Sequence, residues 1–161
     1  MNPADFEFYK RFLRDKAGFQ LNQDKVYLLE SRLTPIAKKW NYHGTADLIP
    51  HIRLGQNAAL IQDVIDAMTT NETLFFRDDK PFKHLKGVVL PALIEKRKML
   101  RKIRIWSAAC STGQEPYSIG MILREIMPDI ATWKIEILAT DLSQTVLEQA
   151  RSGRYSQFEI Q

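Results

Sequence analysis

One cysteine, three histidines and no long apolar run set the first limits on this chain. A lone Cys110 excludes an internal disulfide framework and a cysteine-based zinc site. His43, His51 and His84 stand far apart without metal-ligand spacing, so no metal is expected. No apolar stretch approaches the roughly 18 to 20 residues of a membrane helix, which argues against membrane insertion. The opening MNPADFEFYK carries an early acid and no apolar h-region, unlike a secretory signal. Internal repeats and low-complexity tracts are missing as well. Together these absences predict a cytoplasmic globular protein. No side chain offers a nucleophile paired with an obvious base.

What is present fits a folded chain. Of 161 residues, 45% are apolar and 26% charged, enough for a core in one domain or two small ones. The net charge of +4 is unevenly spread. Residues 71–105 hold 10 Lys and Arg against 4 Asp and Glu, whereas residues 106–161 hold 4 against 7. Such a basic stretch fits either an acidic partner or a solvated helix face. Its densest part, KRKMLRKIR at 96–104, has no interleaved aromatics, so a nucleic-acid partner is not expected.

The first half reads as helices. Phe6, Tyr9, Phe12 and Leu13 share one face of a helix over 3–17, stopped by Gly18. Asp24 is placed to cap a helix over 25–40 with the stripe Val26, Leu29, Leu33, Ile36, Ala37 and Trp40, which Pro35 would kink or split. Thr45 and Asn57 are the caps expected for two more helices, the last turning Leu60, Ile61, Val64, Ile65 and Met68 inward. This predicts a helical N-terminal domain over 1–69. The second half, 70–161, changes character. A short helix over 78–86 and a longer one over 88–102 precede KIRIWSAA at 102–109, which reads as a buried strand. The loop CSTGQ, a helix to Met127, a strand over 133–140 and a helix over 144–152 follow. Strand, helix, strand, helix is the start of a parallel α/β sheet.

The loop between the first strand and its helix is where doubly wound folds bind ligands. It lacks the GK[ST] ending of a P-loop, and its single Gly113 does not make a dinucleotide fingerprint. Gly113 is expected to let a ligand approach the backbone. Glu115 would repel phosphate and welcome a cation or hydroxyl donors; alone, it reads first as an acid complementing the helix dipole. Asp141 ends the second strand, where an acid either accepts ribose hydroxyls or caps the next helix. TTNETLFFRDD at 69–79 sets donors and aromatics beside Arg77. Arg77 either forks onto a carboxylate or pairs with Asp78 or Asp79 at the surface.

TTNETLFFRD, LPALIEKRK, IRIWSAACSTGQEPYSIGMIL and ILATDLSQTVLEQARSGRYS, in this order, resemble the chemotaxis receptor methyltransferases of the CheR family. The resemblance spans the whole chain. It implies a small all-α domain followed by the first part of a Rossmann-like methyltransferase sheet. It implies methyl transfer from S-adenosylmethionine to glutamate side chains on the cytoplasmic signalling helices of chemoreceptors, leaving S-adenosylhomocysteine. Asn71, Thr73, Arg77, Glu115 and Asp141 match cofactor-binding positions, and Arg77 is the candidate to orient a carboxylate of substrate or cofactor. The helix over 25–40 matches the family's basic docking helix, with Arg32, Lys38 and Lys39 as docking residues. A glutamate of pKa about 4.3 is already ionised at neutral pH, so no general base is needed. The alternative is a module that binds a nucleoside or a partner without turnover.

The resemblance also implies that a larger sheet continues beyond Gln161. A short parallel sheet with a bare edge is a liability. The chain is therefore expected either to lack activity alone or to associate with another copy or a complementary fragment.

Overall fold

The computed structural model describes residues 1–160, in two units: Met1–Thr70 with Leu142–Gln144, and Asn71–Asp141 with the segment from Thr145 onward. In the first unit the apolar spacing dictates four α-helices: α1 (Pro3–Ala17), α2 (Val26–Lys39), α3 (Thr45–Leu54) and α4 (Ala58–Met68). Asn2 caps α1 by accepting from Asp5 N–H at 2.8 Å, and Gly18 ends it at φ 71°. Phe6, Tyr9 and Leu13 of α1, Leu29, Leu33 and Ala37 of α2, Leu48 and Ile52 of α3, and Leu60, Val64 and Met68 of α4 form the core. Phe12 and Ile36 pack at its margin. The buried Tyr9 hydroxyl donates to the Thr45 carbonyl at 2.6 Å, which satisfies the polar end of an otherwise apolar face.

Three local expectations are corrected. Asp24 lies inside a 3₁₀ turn, Gln23–Lys25, that runs directly into α2, and its carboxylate faces Lys25 at 3.4 Å instead of capping the helix. Helix α2 continues unbroken through Pro35, which stands on the exposed side. Gly44, not Thr45, precedes α3; Asp47 reaches back to accept from His43 and Gly44 N–H at 3.1 and 3.2 Å. Asn57 does cap α4, accepting from Leu60 N–H at 3.0 Å.

The second unit carries a continuous helical run: α5 (Asp79–His84), a π turn (Leu85–Val89) and α6 (Leu90–Arg97). Strand β1 (Lys102–Ala108) pairs in parallel with β2 (Lys134–Thr140) in the register Ile103 to Ile135 through Ala108 to Thr140. Helix α7 (Gln114–Ile126) connects them, and α8 (Gln144–Ser152) follows β2. Alternation explains the packing. Ile103, Ile105, Ile135 and Ile137 meet Leu90, Ile119, Ile122 and Leu123 on one face. The opposite face carries Arg104 paired with Glu136 at 2.9 Å, and Trp106, whose indole N–H donates to Thr140 Oγ1 at 3.0 Å. Trp106 is 69% exposed, so β1 is buried on one side only.

Arg32, expected as a docking cation, also ties α2 to the end of α4. Its Nη1 donates to the carbonyls of Met68 at 2.7 Å and Thr69 at 3.1 Å, and Nη2 to Thr70 Oγ1 at 3.4 Å. These are open acceptors at the C-terminus of α4, where a cation also opposes the helix dipole. Replacing Arg32 with Ala is expected to cost about 1–2 kcal/mol. A lower urea midpoint at unchanged slope is the measurement that checks it; an unchanged midpoint refutes the capping role.

Candidate functional site

The site is built where β1 and β2 end side by side. Beyond Ala108 the chain must leave the sheet and enter α7 within five residues. It does so with left-handed backbone at Ala109 (φ 56°), Ser111 (φ 49°) and Gly113 (φ 101°). Two of these lack glycine's freedom, so the turn is held from outside. Cys110 N–H donates to Thr140 O at 2.9 Å, extending the ladder by one residue. Ser111 N–H donates to Asp141 Oδ2 at 2.8 Å, and Ser111 Oγ donates to the Asn71 carbonyl at 2.7 Å. Gly113 N–H closes the turn onto Cys110 O at 2.9 Å.

The acid at the start of α7 is also fixed. Ser107, buried near the end of β1, donates to Glu115 Oε1 at 2.7 Å. The Glu115 side chain stays at the surface of the helix N-terminus. Asp141 and Glu115 thus flank one loop, and residues 109–116 contain no Lys or Arg. Both acids act on Cys110: burial first, then the Asp141 charge and more weakly Glu115, push its thiol up. Cys110 is buried, and both burial and the neighbouring acids disfavour its thiolate.

The linker crosses the same end of the unit. Its Asn71 carbonyl meets Ser111, and Phe76 N–H donates to Ser118 Oγ at 3.0 Å; that hydroxyl in turn donates to Gln114 O at 2.7 Å. Thr73 lies half-buried between these two anchors. Arg77 pairs with neither Asp78 nor Asp79. Its Nη1 donates to the Glu72 carbonyl at 2.6 Å, and Nη2 lies 3.6 Å from Glu72 Oε2. Asp79 pairs with Lys83. Asn71 meets the loop through its carbonyl, and Gly113, Glu115 and Asp141 belong to the loop or its borders.

Gly113 has a further reason to be glycine. A Cβ there would stand 2.7 Å from the Tyr155 hydroxyl and 3.0 Å from Ala150 Cβ, so the missing side chain makes room for protein as well as for a positive φ. Ser107, Ser118 and Tyr155 are the side chains sequence reasoning passed over. A serine one residue before a strand ends has no distinguishing signal. An aromatic two residues beyond the Gly153 helix stop is a better one, since the chain turns back there. Of the expected docking residues, Lys38 and Lys39 are both exposed, and Lys39 pairs with Asp63 at 2.8 Å.

Comparison with known proteins finds one family over both units. Residues 71–161 match a family model described as CheR methyltransferase, SAM binding domain, and residues 4–69 match CheR methyltransferase, all-alpha domain. Chemotaxis protein methyltransferase 1 of Pseudomonas aeruginosa is 44% identical over 155 residues, covering 94% of this chain and 56% of that protein. Chemotaxis protein methyltransferase Cher2 of Pseudomonas putida is 41% identical over 159 residues, covering 97% and 58%. A chemotaxis protein methyltransferase of Borreliella burgdorferi is 39% identical over 146 residues, covering 89% and 52%. The chain thus spans a little over half the length of these relatives. With both domain models matched in order, an all-α unit before a parallel-strand unit of Rossmann-like type, the chain belongs to the CheR methyltransferase family.

Proposed function

We propose that this chain binds S-adenosylmethionine at the 109–116 loop and serves methyl transfer to glutamate side chains of chemoreceptors, as part of a longer methyltransferase. The observation that carries the reading is the pair of carboxylates, Asp141 and Glu115, flanking a loop without cations at the ends of two parallel strands. That donor set fits a ligand bearing hydroxyls and positive charge and disfavours a phosphate. The domain boundary falls at residues 69–70. Asp141 would accept the ribose hydroxyls, Glu115 would face the cationic end, and Asn71, Thr73 and Gly113 would line the approach. When bound, the cofactor supplies an electrophilic methyl group on a cationic sulfur. The chain's own part is to hold the partners in line. Arg77 leaves Glu72 to orient a carboxylate, and no residue need remove a proton from an ionised glutamate. No metal is assigned a role.

The partners in this reading are glutamate-rich receptor helices in the cytoplasm, approached through Lys38 and the basic side of α2. Arg32 and Lys39 belong to the same docking face, and each also has a partner within the fold. No helix among the described residues is long and apolar enough to cross a membrane. Self-association, or pairing with a complementary fragment, belongs to the same reading; the exposed Trp106 and Leu138, 69% and 58%, support it. A binding module without turnover is the alternative, and a methylation assay on receptor glutamates separates the two.

Calorimetry with S-adenosylhomocysteine tests the cofactor site. Asp141→Asn keeps an oxygen for Ser111 N–H but loses the charge, and is expected to weaken binding about tenfold or more. Unaltered affinity would remove Asp141 from the ribose role. Arg77→Ala is expected to lower methylation of a receptor fragment at least tenfold while leaving overall stability within about 0.5 kcal/mol, since Arg77 is exposed. Full activity in that variant excludes it as the orienting group. Lys38→Glu is expected to weaken binding to a glutamate-rich receptor helix a few-fold at low salt and little at high salt. Equal loss of cofactor binding would mean that Lys38 acts through the fold.

A further inference from the structure

Tyr155 comes from the segment after α8, yet it reaches the cofactor loop, the 69–79 segment and α7. Its hydroxyl donates to the Thr112 carbonyl at 2.7 Å. Its ring meets Phe75 of the linker edge-on at 4.9 Å between centroids, and Tyr117 of α7 edge-on at 5.8 Å. Its oxygen occupies the space a side chain at Gly113 would fill. Tyr117 is tied back in turn, donating to the Ala150 carbonyl at 3.1 Å and filling the space beside Gly153. Two phenols in contact, Tyr155 and Tyr117, therefore join the 69–79 segment, the loop, the start of α7 and the end of α8.

The loop it grips needs such a grip. Ala109 and Ser111 hold left-handed backbone without being glycine. Two tethers, to Asp141 and Asn71, converge on Ser111 alone. The Tyr155 bond acts on the carbonyl side of the peptide joining Thr112 to Gly113, whose N–H closes the turn onto Cys110 O, and is the bond that ties this peptide to a side chain from outside the loop. Burial, then Tyr117, Glu159 and Cys110, push the phenol up to about 12, so it remains a donor throughout the neutral range.

We propose that Tyr155 is a positioning residue for the cofactor loop: a latch whose hydroxyl holds the Thr112–Gly113 peptide in the conformation that receives the ligand. The proposal rests on the cofactor reading above, and it names a residue outside the loop that the reading does not use. It predicts loosening that is local. Phenylalanine at 155 keeps the ring contacts and removes the bond to Thr112.

Cys110 supplies the test, being the single cysteine and buried within the loop. Its labelling by a thiol reagent requires opening of the loop, so the rate follows the open population while reclosing is fast. In the full chain, Tyr155→Phe is expected to speed Cys110 labelling about tenfold, the value of one hydrogen bond, beyond any factor explained by global unfolding in urea. Affinity for S-adenosylhomocysteine is expected to fall about twofold or more, because the closed loop without the bond no longer holds the Thr112–Gly113 peptide in the receiving conformation. A labelling increase matched by an equal global loss overturns the proposal, because a merely structural role moves both alike. Local loosening with unaltered affinity overturns it also, since the latch would then not serve the ligand. If the parent chain took up no S-adenosylhomocysteine, the cofactor reading would fail, while the labelling arm would still decide whether Tyr155 holds the loop.

Discussion

Everything at the candidate site depends on one hydrogen bond, from Ser111 N–H to the Asp141 carboxylate. It joins the turn leaving β1 to the first residue beyond β2, and so ties the two strand ends into one surface. Magnitudes show why it is needed. Left-handed backbone at Ala109 and Ser111 costs about 1–2 kcal/mol each. A neutral hydrogen bond returns about 1 kcal/mol and a charge-assisted one about 1.5–3. The Asp141, Asn71 and Tyr155 bonds together are therefore of the same size as the strain they oppose. The loop holds its shape by a narrow margin, and each tether counts.

The same carboxylate gives the site its sign. Parallel strands and a helix N-terminus would by themselves favour an anion. Asp141 on one side and Glu115 on the other reverse that preference locally, and Ser107 fixes the Glu115 carboxylate at the helix start. The geometry of a phosphate loop is thereby turned to a ligand carrying hydroxyls and positive charge. In the helical unit a cation plays the corresponding part, because Arg32 gathers the carbonyls at the end of α4 that no helical N–H can reach.

Much of the fold is legible in the sequence because periodicity is a strong signal. Phe6, Tyr9 and Leu13, or Leu60, Val64 and Met68, face inward whatever else the chain does. The parallel pairing follows from strand, helix, strand order, and Asn57 is readable as a cap because its role is local. What escapes is long-range and polar. Asp24 has the composition of a cap, but a 3₁₀ turn winds the chain past it. Arg32 lies on a basic face in sequence, while its partners stand 36 to 38 residues away. Gly113 reads as room for a ligand when part of the space belongs to Tyr155, 42 residues later. Spacing reports faces of single elements; it says nothing of which distant side chain returns to meet them.

The uncovered face of the sheet has an optical consequence. Trp106 holds its indole N–H on Thr140 across the strand pair while its ring stays 69% exposed. Trp40 and Trp133 both pack against the apolar cores. Of the three indoles, Trp106 alone therefore emits from a largely aqueous setting, at the red edge of the protein's fluorescence. Any polypeptide laid over that face would move this one fluorophore out of water. The sheet thus reports its own covering in the colour of its light.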